Sequence, residues 1–114
     1  MSDADRRSGP RIPVEMWVEE ASEDDLYFQR SANISVGGIY LEGTVPHPAG
    51  TIVTLSFTLP GDQHRTTVRG EIVNVQERDH LGMGIRVVDL DAAALERIEG
   101  FIARRQQQLA ARVG

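Results

Sequence analysis

The sequence predicts an all-β domain with one C-terminal helix, arranged as a six-stranded antiparallel barrel. Three observations carry this expectation. Apolar residues alternate with polar ones over most of the chain, the signature of strands with one buried face. Turn-forming clusters punctuate that alternation often enough to give about six short strands. After Asp91 the period changes to that of a helix. At 114 residues there is room for a single core.

The elements follow in order. Residues 1–10 are polar and aperiodic, and they read as a flexible arm ahead of one domain over 11–114. Pro10 and Pro13 bias the chain around them towards extended backbone. In "RIPVEMWVEE", Ile12, Val14, Met16 and Val18 alternate with Pro13, Glu15, Trp17 and Glu19, which predicts the first strand. "ASEDD" reads as a turn, and the acids Glu19, Glu20, Glu23, Asp24 and Asp25 as its solvated surface. "LYFQRSANI" is the second strand; "SVGG" breaks it, and "IYLEG" resumes as the third.

The loop "TVPHPAG" leads to "TIVTLSFTLP", where Val53, Leu55, Phe57 and Leu59 define the buried face. "GDQH" is a turn signal. "TTVRGEIVNVQ" is a long strand in which Gly70 marks a bend or bulge. After "ERD", the segment "HLGMGIRVVDL" closes the series. The helix spans about 91–110, with Asp89 or Asp91 as its cap and with Leu95, Ile98, Phe101, Ile102 and Leu109 on one face. That face is expected to cover an open end or side of the barrel.

Composition narrows the function. The chain has no cysteine, which removes thiolate nucleophiles, thiolate metal sites and disulfides. His47, His64 and His80 are far apart in sequence and predict no metal cluster. The acids stand without a nucleophile–base pair, so no catalysis is expected. No apolar run is long enough to span a membrane, and the first residues lack the apolar core of a signal peptide, so a cytoplasmic location is expected. The net charge is -5, and residues 12–64 hold Arg30 alone against eight acids. That pattern, with 5% aromatic residues, argues against a DNA- or RNA-binding barrel, which needs a basic groove and stacking platforms.

A small anionic ligand needs only a local cationic cluster, and the sequence holds one. All twelve basic residues are arginine, the side chain that grips phosphate through paired donors and stacks on flat rings. Arg7 and Arg11 frame "RSGPR" on the arm, with Arg6 beside them. The second polar motif is "NISVGG", between the second and third strands. Its Asn33 and Ser35 can shape a turn or read the edge of a heterocycle. Gly37 and Gly38 permit positive φ and allow close approach to the backbone.

In this order the two motifs resemble the PilZ family, whose pattern is R-x-x-x-R followed by [D/N]-x-S-x-x-G. The segments "GGIYL" and "LGMGIRVVDL" and the final helix are similar too, so the resemblance runs from about Arg6 across nearly the whole chain. It implies a PilZ-like split barrel that binds cyclic di-GMP and needs no cofactor. Arg7 and Arg11 would hold the phosphates and stack on guanine, while Asn33, Ser35, Gly37 and Gly38 would meet the guanine and ribose. Arg6 would add charge enough to favour two intercalated ligand molecules. Asn33 stands where many members carry aspartate, and a neutral amide is a weaker acceptor for guanine N–H groups. The arm would act as a clasp hinged at Gly9, and its movement would signal to a protein partner. The alternative is a PilZ-like protein-interaction module that does not bind the nucleotide.

Overall fold

The computed structural model describes residues 9–43 and 46–113. Arg6 and Arg7 lie outside the described residues. Among the described residues, seven strands form one antiparallel sheet: β1 (Ile12–Pro13), β2 (Trp17–Ser22), β3 (Asp25–Ser35), β4 (Gly38–Glu42), β5 (Ile52–Phe57), β6 (Thr66–Gln76) and β7 (Gly82–Asp89), followed by α1 (Ala92–Val113). The order β3-β2-β5-β6-β7-β4 returns to β3 through β3–β4 pairing, which closes a six-stranded barrel. The predicted first strand is β1 and β2 together. Ile12 pairs with Ile34 and Trp17 with Arg30, so one extra residue lies between the two pieces. Ser31 fills the gap: its Oγ accepts from Met16 N at 3.1 Å and donates to Val14 O at 2.6 Å.

Alternation places one residue type inside along every strand. Val18, Ile34, Ile39, Leu41, Val53, Leu55, Phe57, Ile72, Met83 and Ile85 fill the barrel and are fully or almost fully buried. Each large aliphatic or aromatic side chain so buried contributes roughly 1.5–3 kcal/mol. Turns match their residues: Pro60 and Gly61 (φ 84) make a tight turn with Asp62 N bonded to Leu59 O. The Asp62 carboxylate then accepts from the backbone N–H groups of His64 and Gln63, which lower its pKa, the His64 bond most.

Helix α1 is capped by Asp91, whose Oδ1 accepts from Ala94 N at 2.7 Å. Asp89 instead ends β7. Ala94, Ile98, Phe101 and Ile102 are buried with Ile12 and Val68 in the same core. Leu109, expected on that face, is 42% exposed. At 22 residues the helix is about 33 Å long, and residues 103–111 are exposed save for half-buried Arg105. Amphipathic spacing continues past the point where the barrel has surface to cover.

In the acid cluster Glu23, Asp24 and Asp25 are exposed as expected, and Glu20 departs from the solvated reading. The turn is only Glu23–Asp24, and Glu20 points into the barrel with no exposed surface. Its carboxylate accepts from Gln29 Nε2 at 2.9 Å and lies 2.7 Å from His47 Nδ1. The His47 ring leans on Tyr27, so this group ties the β4–β5 connection to the barrel. Among the described residues, no helix is long and apolar enough to cross a membrane.

Candidate functional site

Two bulges shape one outer wall of the barrel. On β3, Ser31 pairs with Leu41 and Asn33 with Tyr40, so Ala32 is the extra residue. On β6, Ile72 pairs with Ile85 and Asn74 with Gly84, so Val73 is extra. Each bulge is followed at once by an outward asparagine. Register then aligns four residues across four strands: Asn33 on β3, Tyr40 on β4, Gly84 on β7 and Asn74 on β6. The neighbouring row runs Ser35, Gly38, Arg86 and Glu71.

The centre of this wall is low because glycines occupy it. A Cβ at Gly38 would stand 2.6 Å from the Ile85 carbonyl oxygen, so only glycine allows the β4–β7 approach. Gly82 lies under the Tyr40 hydroxyl, where a Cβ would come within 2.6 Å of it. Gly84 leaves ordinary spacing to Asn74 (3.4 Å) and Tyr40 (3.7 Å). The result is an open depression of about 290 Å³, lined by Arg11, Asn33, Gly37, Gly38, Tyr40, Val73, Asn74, Gly84 and Arg86 among others.

Arg11 reaches this depression from the arm. Its Nη1 donates to Asn33 Oδ1 at 2.7 Å, joining segments 22 residues apart. Arg86 borders the depression and pairs with Glu71. Gly9, with φ 66, turns the chain just before Arg11 through the left-handed region. Of the residues singled out in the sequence, Arg11, Asn33, Gly37 and Gly38 therefore meet at one place. Ser35 does not line it: the residue is 1% exposed, and its Oγ lies 3.5 Å from the Gly38 carbonyl, across the hairpin turn. Gly37 and Gly38 do not have positive φ; Gly38 is required by close strand approach instead.

Tyr40, Asn74, Gly84 and Arg86 escaped the sequence reading. One signal was present. In "GMGIR", Gly82, Gly84 and Arg86 recur at period two, which puts two side-chain-free positions and a guanidinium on one strand face. Bulge positions carry no comparable mark, so the pairing of Asn33 with the row ending at Asn74 was not legible.

Fold and site together define a small closed barrel with a capping helix and a polar, arginine-bordered, glycine-floored surface depression. That is the build of a ligand-binding module. The PilZ domain profile matches residues 5–104, and the chain belongs to the PilZ family, whose members are cyclic di-GMP-binding and protein-interaction modules with a regulatory role. No curated protein shows significant similarity to it. Among solved structures it is similar to the Bacillus subtilis inhibitor of motility MotI/DgrA, with a TM-score of 0.76 and 19% identity. The alignment covers 86% of this chain and 50% of that one, so the chain spans half the length of that neighbour.

Proposed function

We propose that the protein is a cytoplasmic cyclic di-GMP receptor and adaptor that performs no catalysis. Ligand binding draws the arginine arm onto the barrel wall, and the rearranged arm and surface signal to a protein partner. The observation that carries this reading is the 2.7 Å bond between Arg11 and Asn33, since it brings one residue of each family motif to the same depression. Arg11 and Arg86 supply two guanidiniums along its border for the ligand's phosphates. Arg7, four residues before Arg11, completes the clasp. Ordering the arm costs conformational entropy, offset by charge-assisted hydrogen bonds to phosphate.

Titration calorimetry tests it. The protein should bind cyclic di-GMP at micromolar concentration or tighter. Arg7→Ala and Arg11→Ala should each weaken binding at least ~10-fold, the equivalent of about 1.4 kcal/mol for one lost charge-assisted contact. A silent titration of the wild type refutes the reading. With Arg6 adding a third arm guanidinium to Arg7 and Arg11, two ligand molecules should bind per chain, and Arg6→Ala should reduce that to one.

A second reading, a protein-interaction module without nucleotide, is favoured by a different feature. Trp17 (60% exposed) and Phe28 (67% exposed) stand together on the outer wall of β2 and β3, with Leu26 further along β3. Thermal melting separates the two: cyclic di-GMP raises the midpoint of a protein that binds it in the native state and leaves the other unchanged.

A further inference from the structure

We infer that Glu71 is a built-in competitor for the ligand's phosphate: it holds the Arg86 guanidinium at the rim of the depression, and a cyclic dinucleotide must take Arg86 from it. This rests on the proposed nucleotide-binding reading and adds to it a residue, outside both sequence motifs, that sets the affinity of the same site.

Arg86 stands between two unlike neighbours. Its cross-strand partner on one side is Gly38 of β4, and on the other Glu71 of β6. Arg86 and Glu71 both point outward, with side chains 51% and 31% exposed, and they form an ion pair. Gly38 presents no side chain. None can be added there, because a Cβ would meet the Ile85 carbonyl oxygen at 2.6 Å. The space over Gly38 is therefore always open, and it belongs to the depression. Glu71 is not among the lining residues; it sits on the opposite flank of Arg86.

A guanidinium on a long, flexible stem can lean towards the neighbouring strand on either side, each about 4.8 Å away. Towards β6 it meets the Glu71 carboxylate. Towards β4 it meets whatever anion rests over Gly38. Arg11, bonded to Asn33 on β3, approaches that floor from the other flank, two strand spacings or about 10 Å across the sheet from Arg86. A phosphate between them would be gripped from both sides by charge-assisted donors. While Arg86 stays with Glu71, the ligand lacks one of these grips. When Arg86 moves over, the pair with Glu71 is lost. In both cases binding is weaker than to a free Arg86 by the strength of that pair.

The magnitude makes this a tuning device and not a block. An exposed ion pair is weak, so it raises the ligand concentration required only a few-fold. Nor is the pair needed to join its strands. β6 and β7 already share a ladder that runs from Arg69 opposite Asp89 to Gln76 opposite Gly82.

Calorimetry with cyclic di-GMP on the wild type, Glu71→Gln, Arg86→Ala and the double variant tests the inference, with each melting midpoint measured first without ligand. Glu71→Gln keeps the side-chain length and removes the charge. It should tighten binding roughly two- to fivefold, the range set by the strength of an exposed pair. Arg86→Ala should weaken binding at least ~3-fold through loss of a charged donor. The double variant should match Arg86→Ala alone, because Glu71 acts only through Arg86. Two results overturn the inference and leave the receptor reading standing. One is unchanged affinity in Glu71→Gln, which makes the pair a structural tie. The other is an equal gain with and without Arg86, which makes Glu71 a general repulsive charge. If neither the wild type nor Glu71→Gln binds, both fall.

Discussion

The barrel has two outer walls of opposite character. On β4 and β7, Gly38 and Gly84 put no side chain on the wall, which is a shallow polar trough with arginine at its edges. On β2 and β3, Trp17, Leu26 and Phe28 stand out into solvent, with the Arg30 guanidinium 5.2 Å from the Trp17 ring centroid and Arg65 paired to Glu19. Inside, the strands of both walls obey the same rule: every inward position faces one shared core. The difference teaches where a barrel's freedom lies. Burial dictates one face of each strand, whereas the other face is constrained by little except what meets it, so outer-face residues that cost stability or solubility point towards recognition. Bare glycines weaken a strand, and exposed aromatics form a contiguous apolar patch.

The strongest break in this comparison is Gly38→Val. The new Cβ would press on the Ile85 carbonyl oxygen at 2.6 Å, and that atom is backbone held in the β4–β7 ladder. A loss of about 3 kcal/mol in urea-unfolding stability is expected, the upper part of the range for overpacking. Ligand binding should disappear with the strand approach. An unchanged unfolding midpoint would mean that the two strands have room to spare and that the trough is not set by glycine.

Gly84→Val sharpens the same point with a smaller effect. Its surroundings, Asn74 at 3.4 Å and Tyr40 at 3.7 Å, tolerate a side chain with slight adjustment, and a β-branched residue suits a strand. Stability should stay within about 1 kcal/mol of the wild type. Cyclic dinucleotide affinity should nevertheless fall by roughly 10-fold or more, since the valine fills the floor between the two asparagines; each factor of ten is about 1.4 kcal/mol. Paired with Gly38→Val, it separates a glycine required for the fold from one required only for the trough.

These two glycines also mark the limit of sequence reading. Strand alternation was legible because burial enforces it: Ile12, Val14, Met16, Val18 and the Val53–Leu59 series all lie inside as their spacing implies. The helix cap was legible as one of two neighbouring aspartates, Asp89 or Asp91, and the structure selects Asp91. Glu20 was not. It continues the inward alternation of Val18, yet its charge suggests solvent, and the partners that hold it, Gln29 and His47, come from another strand and a distant loop. Leu109 failed the other way, since the length of the covered surface is a property of the barrel. At the site, Arg11 and Asn33 carry a motif that can be seen in one dimension. Tyr40, Asn74 and Arg86 reach it only through the register of four strands and two bulges.

The smallest expected effect is the one that keeps the two walls distinct. Trp17→Ser combined with Phe28→Ser removes the two most exposed aromatics of the β2–β3 wall and touches no residue lining the trough. The Arg30–Trp17 contact is worth only about 0.5–1 kcal/mol at an exposed position, so the melting midpoint should move little. Affinity for cyclic di-GMP should remain within about twofold, because substitutions at separate sites without shared partners act independently. Register supports that independence: Trp17 and Phe28 pair with Arg30 and Glu19, and neither of those borders the trough. Should the double variant instead lose affinity tenfold, β3 must transmit a change from one wall to the other, for it is the strand that carries both Phe28 and Asn33. The Ala32 bulge between these two residues is where such a change would have to pass, since it already offsets the register of one half of β3 from the other.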